Sequence, residues 1–478
     1  MAKTKSGVHS TSFDLIIVGG GPAGYTAAIK GSLQGFKTAI IEKTRIGGAC
    51  INRGCIPTKA LWGTAKEFHR IRNLRHHGII VPKKIPFKFP KAVQRQFKII
   101  DQMVKQIRER MQKLGVTIIS SEVENISKKS ENQFLVHTKN GTYQSKFILI
   151  ATGSSPATTD ILTPDGKNIV TTDEIVLFKK LPKVLCIAGG GVVACEFASI
   201  FNAFGVKVHL FEHSTQVLSA MDQEVVSMLM DTFRKNGIRI HTNTTVQHVD
   251  KKGQKLKITL RTKEKSGHKL THVSADHLLL AIGRKPNSQG LGLEKLGVKF
   301  KEKGFISVNG QLQTDCRGIF AAGDVIGGQM LAHKAWYDAS IAIRAMSGEE
   351  CRANYNTVPG AIFTVPEMAS VGLQPEQARQ KGMNVAIGKF LYQENSQAMC
   401  VDETEGIVKA VVDRDSEKVV GCTLFGHDAS NLISEVALAM QCGLKARDIA
   451  NTIHPHPTLS EMIWESFLDT QGLSVHKS

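Results

Sequence analysis

Two stretches of this chain repeat one pattern in one register. Phe13 to Val18 is a nearly continuous apolar run ending in Gly19-Gly20-Gly21-Pro22-Ala23-Gly24, followed by a helical stretch to about Gln34 and a second apolar run, Lys37 to Glu42. Val184 to Ala188 ends in Gly189-Gly190-Gly191-Val192-Val193-Ala194, followed by a helix to about Phe204 and a strand from Val206 to Glu212. Apolar runs of this length read as buried parallel strands. From Gly19 to Glu42 is 23 residues, and from Gly189 to Glu212 is 23 again. A single glycine fingerprint is weak evidence. Two copies, each after a strand and each ending on an acid, are strong evidence for two dinucleotide sites. Gly19, Gly21 and Gly24, and again Gly189 and Gly191, let backbone N–H groups approach a pyrophosphate at a helix N-terminus. Glu42 and Glu212 are placed to accept hydrogen bonds from an adenosine ribose. A carboxylate there favours a free 2′-hydroxyl and repels a 2′-phosphate, so the second site reads as NAD rather than NADP. His213 is the neighbour that could soften that preference. The alternative for either glutamate is a plain surface acid at a strand end.

With 478 residues the chain is too long for one core. Phe147 to Gly153 and His277 to Gly283 are two more apolar strands ending in small-residue turns, and they are expected to close the two nucleotide domains. Thr314 to Asp324 is another strand-to-turn signal with an acid at its end. Lys91 to Leu114 reads as a long helix with Val93, Phe97, Ile100, Val104, Ile107 and Met111 on one face. From about Tyr355 strands give way to helices, the pattern of a separate α+β domain. The expected class is α/β, with two Rossmann-like domains and an α+β C-terminal domain.

Between the first fingerprint and the long helix lies Gly47-Gly48-Ala49-Cys50-Ile51-Asn52-Arg53-Gly54-Cys55-Ile56-Pro57-Thr58-Lys59. Two cysteines at this spacing suit a small disulfide ring that opens and closes during turnover. On an ideal helix five steps set their side chains roughly 140° apart. The ring therefore needs a distorted helix start, which Gly54 and Pro57 allow. Taken alone, the spacing favours two unlinked core thiols, and the surrounding motifs shift the reading to redox chemistry. The nine cysteines are odd in number and scattered, which argues for a reducing compartment rather than a secreted disulfide framework. None has a metal-ligand partner set nearby, so no zinc site is read.

Near the other end stands His454-Pro455-His456-Pro457-Thr458-Leu459-Ser460-Glu461. A histidine beside a carboxylate is a stronger base with a fixed tautomer. Pro457 is read as starting a helix that carries Glu461. The plain alternative is two loop histidines in a rigid turn.

The formal charge is +19, and fourteen Lys/Arg against three acids fall between Thr64 and Leu114. An anionic partner is one reading; a solvated basic face is favoured, because no nucleic-acid motif accompanies the charge. No apolar run is long enough to span a bilayer. The polar tail Met1 to Ser12, with Lys3 and Lys5, carries no signal-peptide core, so the expected compartment is the cytoplasm, with a trimmed mitochondrial matrix form left open.

Together these motifs resemble the flavoprotein disulfide oxidoreductases (class I pyridine nucleotide-disulfide oxidoreductases), and within them most closely the dihydrolipoamide dehydrogenase family. The resemblance runs from about Phe13 to Phe467. It rests on Gly47 to Lys59, both fingerprints, Ala321 to Asp324, Met330-Leu-Ala-His-Lys-Ala335 and His454 to Glu461. It implies an FAD domain over 1–155 completed by a central segment, 284–352, an NAD domain over 156–283 and a dimer-interface domain over 353–478. It further implies that FAD meets Gly19, Gly21, Gly24, Glu42, Lys59, Thr152, Gly153, Asp324 and Ala332. NAD would meet Gly189, Gly191, Glu196, Glu212 and Gly283. The catalytic set it implies is Cys50, Cys55, Lys59, His456 and Glu461. His456, from the other subunit of a homodimer, would deprotonate a dihydrolipoamide thiol, oriented by Glu461. Cys50 would exchange with substrate, Cys55 would face the flavin, and Lys59 would pair with Glu196. The partner implied is a lipoyl-bearing acyltransferase or lipoyl carrier protein of a 2-oxoacid dehydrogenase complex, with no nucleic acid and no membrane insertion. Where the family commonly has an acidic stretch after Ala335, this chain has Trp336-Tyr337-Asp338.

Four other readings fit less well. A glutathione- or trypanothione-type reductase should show basic residues near position 212. A mercuric reductase should carry a terminal cysteine pair. A flavin transhydrogenase commonly lacks the paired cysteines. A basic binding protein that merely retains the fold does not need an intact redox set.

Overall fold

The computed structural model describes residues 11–82, 85–265 and 267–478. The tail lysines Lys3 and Lys5, and Lys83 and Lys84 of the basic stretch, lie outside the described residues. The chain divides into two compact units. The first comprises Met1–Thr58, Gln94–Ala157 and Arg284–Asn354; the second comprises Lys59–Val93, Thr158–Gly283 and Tyr355–Ser478.

In the first unit, β1 (Ser12–Val18) leads through the glycine turn into α1 (Pro22–Leu33) and then β2 (Thr38–Glu42). β1 pairs in parallel with β2 on one side and with Gly141–Ile150 on the other. Leu15, Ile16 and Ile17 are fully buried, which is why the run is apolar at successive positions rather than at alternate ones. Thr117–Ser120 adds to β2 in parallel, and Ile319–Ala321 adds to Gly141–Ile150. Val123–Ser130 and Gln133–Thr138 extend the sheet antiparallel. Two short strands, Ser154–Pro156 and Arg284–Pro286, form an antiparallel ribbon. This ribbon stands where the chain leaves the unit and where it returns.

The second unit repeats the nucleotide-domain plan. Val184–Ala188 lies between Lys207–Phe211 and His277–Leu280, all parallel, with Arg239–His241 and Ile169–Val170 at the edges. A three-stranded antiparallel sheet runs Thr244–Lys252, Lys255–Glu264, Gly267–Ala275. Beyond Tyr355 a five-stranded antiparallel sheet is formed by Gly360–Ile362, Glu367–Gly372, Val419–Gly426, Ile407–Asp413 and Val385–Leu391. Helix Ala429–Gln441 packs on Glu367–Gly372 and Val419–Gly426, and helix Glu461–Asp469 on Val385–Leu391.

Two sequence expectations shift. The long helix spans Phe89–Lys113 and buries Val93, Ile100, Val104 and Met111, but Phe97 is 40% exposed. Gln96 is buried in its place, because the inward stripe passes through 96 and position 97 lies a further 100° round the helix. Pro457 does not start a helix. The helix begins at Glu461, with Ser460 as N-cap, because Thr458 and Ser460 form a side-chain-bonded turn before it. Within the basic stretch Lys66 pairs with the buried Glu367 at 3.0 Å, whereas Lys91, Arg95 and Lys98 are exposed. No helix among the described residues is long and apolar enough to cross a membrane.

Candidate active site

The cysteine segment is built on a broken helix. α2 spans Gly48–Arg53 and α3 spans Cys55–Asn73, and between them Gly54 leaves helical geometry at φ −124° and ψ −102°. The break falls between the two cysteines, and both are half-buried. A Cβ on Gly54 would lie 3.2 Å from the Ala49 carbonyl oxygen and 3.6 Å from Cys50 Cα, so Cys50 stands close over the break. α3 restarts with Thr58, whose backbone N–H and hydroxyl both donate to the Gly54 carbonyl, at 3.1 and 2.6 Å. Asn52 Nδ2 ties α2 back to the Ile46 and Gly48 carbonyls at 3.1 and 2.9 Å. A Cβ on Gly48 would sit 2.5 Å from Gly21 Cα, so the cysteine segment lies against the first glycine turn.

The two glycine turns are shaped alike. Gly19 and Gly189 hold positive φ, and a Cβ on either would run into a carbonyl at 2.4 or 2.3 Å. At Gly21 a Cβ would meet nothing closer than Gly48 Cα at 3.8 Å, and at Gly191 nothing within 4 Å. The first positions are therefore glycine for close packing. Gly21 and Gly191 leave room for a ligand to approach backbone N–H groups at the start of a helix, which fits a bound pyrophosphate. Glu42 accepts from Gly20 N at 2.7 Å and Thr44 N at 2.8 Å, which holds its carboxylate beside the turn. Glu212 accepts from Ser214 N at 2.7 Å, and its Oε1 is also 2.8 Å from His213 Nδ1.

Just after the strand Ile319–Ala321, Asp324 Oδ2 accepts from Ser154 Oγ at 2.5 Å. Arg284 donates to the Ser154 hydroxyl and carbonyl, both at 2.7 Å. Asn287 braces the Thr152–Gly153 turn, with its Nδ2 donating to Thr152 O at 3.0 Å and its backbone N–H to Gly153 O at 3.0 Å. Ala332 opens the helix Ala332–Met346. On that helix Asp338 is fully buried and accepts from Lys334 Nζ at 2.7 Å and Gly323 N at 3.0 Å, so it anchors the turn that presents Asp324. Ser154, Arg284 and Asn287 do not stand out in the sequence, and Asp338 does so only as part of the departure after Ala335. Of the first three only Arg284, which directly follows Gly283, had a local cue.

In the second unit Lys59 Nζ lies 2.9 Å from both carboxylate oxygens of Glu196. Glu196 is buried and also accepts from Phe363 N at 3.0 Å, while the Lys59 ammonium sits 4.6 Å over the Phe363 ring. The Glu196 carboxylate is thus committed to protein partners. Gly283, at the end of its strand, takes φ +117° with open space beside it.

The two histidines of the proline turn are allotted different surroundings. The His454 side chain is 7% exposed and bonded to Glu435 Oε1 at 2.8 Å and Thr452 O at 2.9 Å. The His456 side chain is 73% exposed, and its Nδ1 is 2.9 Å from Glu461 Oε1. Burial pushes the Glu461 carboxyl up, but the Thr458 N–H, then His456 and His476, outweigh it and hold the group below the usual carboxylate range. Glu461 is the first residue of its helix, where the dipole also favours an anion. One turn on, buried Glu465 accepts from Ser474 Oγ, Val475 N and His476 Nδ1 at 2.5, 2.9 and 2.6 Å, which pins the helix in place. Among the described residues no group of three His, Cys, Asp or Glu is placed to hold a metal ion.

Glu435 raises the pKa of His454 more than burial lowers it. A histidine raised in the folded state stabilises fully below its unfolded pKa, and that contribution fades as pH climbs through the folded value. The expected result is that Glu435→Gln lowers Tm clearly at about pH 6, and that its gap to the parent narrows towards about pH 9. Thermal unfolding across that range checks it; a gap that widens with pH contradicts the assignment.

Comparison with known proteins adds to this geometry. The family described as "Pyridine nucleotide-disulphide oxidoreductase" matches residues 13–339, and its dimerisation domain matches residues 358–467. The mitochondrial dihydrolipoyl dehydrogenase of Pisum sativum is 34% identical over 465 residues, covering 97% of this chain and 92% of the pea protein. Among solved structures, LpdA from Mycobacterium tuberculosis superposes with a TM-score of 0.87 at 26% identity, covering 96% of this chain and 99% of the other. The HOCl-induced flavoprotein disulfide reductase RclA from Escherichia coli gives a TM-score of 0.82 at 27% identity, covering 95% and 99%.

Proposed function

The chain belongs to the pyridine nucleotide-disulphide oxidoreductases, and from that membership we propose that it oxidises protein-bound dihydrolipoamide to lipoamide through Cys50 and Cys55, with FAD and NAD as cofactors. The observation that carries this reading is the His456–Glu461 pair. A solvent-facing imidazole whose Nδ1 is held by a carboxylate keeps Nε2 for a substrate thiol. A chain that only received electrons from a nicotinamide and passed them to metal or oxygen would have no use for that base.

The chemistry follows from the residues. His456 Nε2 takes the proton of one dihydrolipoamide thiol, and Glu461 stabilises the resulting imidazolium. The substrate thiolate attacks Cys50 Sγ; the Cys50–Cys55 bond breaks and its electron pair stays on Cys55. His456, having released the first proton to solvent, takes the proton of the second substrate thiol, and that thiolate attacks the substrate sulfur bound to Cys50. Lipoamide leaves as the ring disulfide, and Cys50 departs as a thiolate. The substrate has lost two electrons and the cysteine pair has gained them. FAD, held at the Gly19–Gly24 turn by Glu42 and Asp324, would supply a two-electron acceptor for the reduced cysteines and a hydride donor for NAD. Lys59, one helical turn beyond Cys55, places a positive charge that favours a thiolate there. The dimerisation domain includes His456, so the working form we propose is a homodimer in which each subunit lends this base to the other. The lipoyl group would come from an acyltransferase or carrier protein.

Glu212 supports NAD over NADP, since a 2′-phosphate would meet its carboxylate. His213 touches that carboxylate, which bounds the preference rather than reversing it. The test is steady-state turnover of the purified holoenzyme with dihydrolipoamide and NAD, and in reverse with lipoamide. NADH is expected to exceed NADPH in kcat/KM by at least about tenfold, which corresponds to ~1.4 kcal/mol. Rapid reduction of glutathione disulfide by NADPH, with dihydrolipoamide inert, would replace this reading with a reductase.

A further inference from the structure

Tyr25 lies on the first turn of α1, and the start of that helix meets the cysteine segment where Gly21 and Gly48 touch. Along its other side α1 packs on helix Ala332–Met346, so closely that a Cβ on Gly323 would meet Ala23 at 3.2 Å and Ala335 at 3.4 Å. From that second helix Trp336 Nε1–H donates to Tyr25 Oη at 2.8 Å. An indole nitrogen only donates, so the phenol oxygen is the acceptor in this bond. The Tyr25 O–H is left to point away from the tryptophan, and a phenol that accepts one hydrogen bond is a better donor of another.

We propose that the Tyr25 hydroxyl is the hydrogen-bond donor that receives Cys50 when it departs as a thiolate, and that Trp336 is the positioning residue that aims it. The inference rests on the disulfide-exchange reading above and adds a residue to it. The step is the second exchange. Substrate sulfur bonds to substrate sulfur, the bond from substrate to Cys50 breaks, and the electron pair goes to Cys50 Sγ, where the phenol O–H meets it. A leaving thiol with a lower pKa leaves faster, so a donor at this sulfur accelerates lipoamide release. The surroundings of Tyr25 agree. Burial raises its pKa most, the Trp336 bond lowers it, and Cys50 followed by Cys55 raise it again, to about 12. These influences agree with the place of Tyr25 at the start of α1, beside the cysteine segment, and the phenol keeps its proton at any working pH.

The test uses the reduced holoenzyme and iodoacetamide, with alkylation of Cys50 followed by peptide mass across pH. In the parent protein Cys50 is expected to alkylate with a midpoint below that of an ordinary thiol. Tyr25→Phe should raise that midpoint by about one pH unit or more, the size of a hydrogen bond to a charged group. Trp336→Phe removes the indole N–H but keeps the phenol, and should move the midpoint the same way by less. Flavin content and Tm show that each variant is folded. A Tyr25→Phe profile that overlays the parent overturns the proposal, as does a fall in kcat with an unmoved midpoint. If the parent itself shows no Cys50 of lowered midpoint, the disulfide-exchange reading fails first. Should Tyr25→Phe fail to fold, an unmoved midpoint in Trp336→Phe overturns the proposal by itself.

Discussion

Cys55→Ser holoenzyme is expected to keep its flavin and lose lipoamide turnover by roughly 10⁴-fold or more, the scale seen when an essential nucleophile is removed. Serine fills the same position on α3, and the helix restart at Thr58 and Gly54 does not involve the Cys55 side chain, so the fold has no reason to change. What is lost is the second sulfur. Without it a substrate thiolate has no disulfide to attack at Cys50, and no electron pair reaches the cofactor side. Cys50→Ser should be equally inactive for the complementary reason that the exchanging sulfur is gone. The two variants are separated by colour. On reduction the parent should develop a red-shifted flavin–thiolate band. Cys55→Ser should abolish it, whereas Cys50→Ser should retain a Cys55 thiolate and show it. Absorbance spectra with turnover of the three proteins decide the matter. A band that survives in Cys55→Ser and vanishes in Cys50→Ser would exchange the two roles.

The second large effect is expected at Gly24. A Cβ there would lie 1.9 Å from the Gly19 carbonyl oxygen and 2.9 Å from its carbon. These are backbone atoms in a turn where Gly19 already holds φ +105°, so neither side can yield without moving α1 off β1. Overpacking of a tight site costs about 1–3 kcal/mol and at times more. Gly24→Ala is therefore expected to lower Tm by several degrees and to leave most of the purified protein without flavin. Gly21→Ala makes the control. Its Cβ meets nothing nearer than 3.8 Å, so the protein should fold, while the methyl group occupies space next to the phosphate cradle. Calorimetry with flavin absorbance per chain separates the two. Equal Tm values for Gly21→Ala and Gly24→Ala would contradict the packing argument.

Sequence made the two nucleotide domains legible because buried parallel strands cannot alternate. Runs such as Leu15-Ile16-Ile17 and Leu185-Cys186-Ile187 carry that constraint in consecutive letters, and the glycines after them mark turns that only glycine fits. Glu42 and Glu212 stood out through spacing, and Cys50, Cys55, His456 and Glu461 through local motif. The residues that hold the site in shape were not legible, because their partners are remote in sequence. Asp338 acts through Gly323 and Arg284 through Ser154, across 15 and 130 residues. Nothing within a few positions of Tyr25 announces Trp336, 311 residues away. The surroundings of His454 were not legible, because its partner Glu435 lies 19 residues away. Pro457 misled because a proline before a helical pattern reads as a first residue, yet the Thr458–Ser460 turn delays the helix to Glu461.

The short ribbon of Ser154–Pro156 with Arg284–Pro286 has a consequence for how such a chain can be remade. Directly paired residues in an antiparallel ladder stand about 4.5–5.5 Å apart, so the polypeptide sets out towards Thr158 and comes back from Gly283 through a single doorway of fixed width. Everything threaded between those points enters and leaves the first unit at one paired ribbon. A replacement segment of quite different length or nucleotide preference, grafted at that doorway, inherits the same anchorage. The ribbon's rungs, together with Arg284 on Ser154 and Ser154 on Asp324, hold those two ends within the first unit.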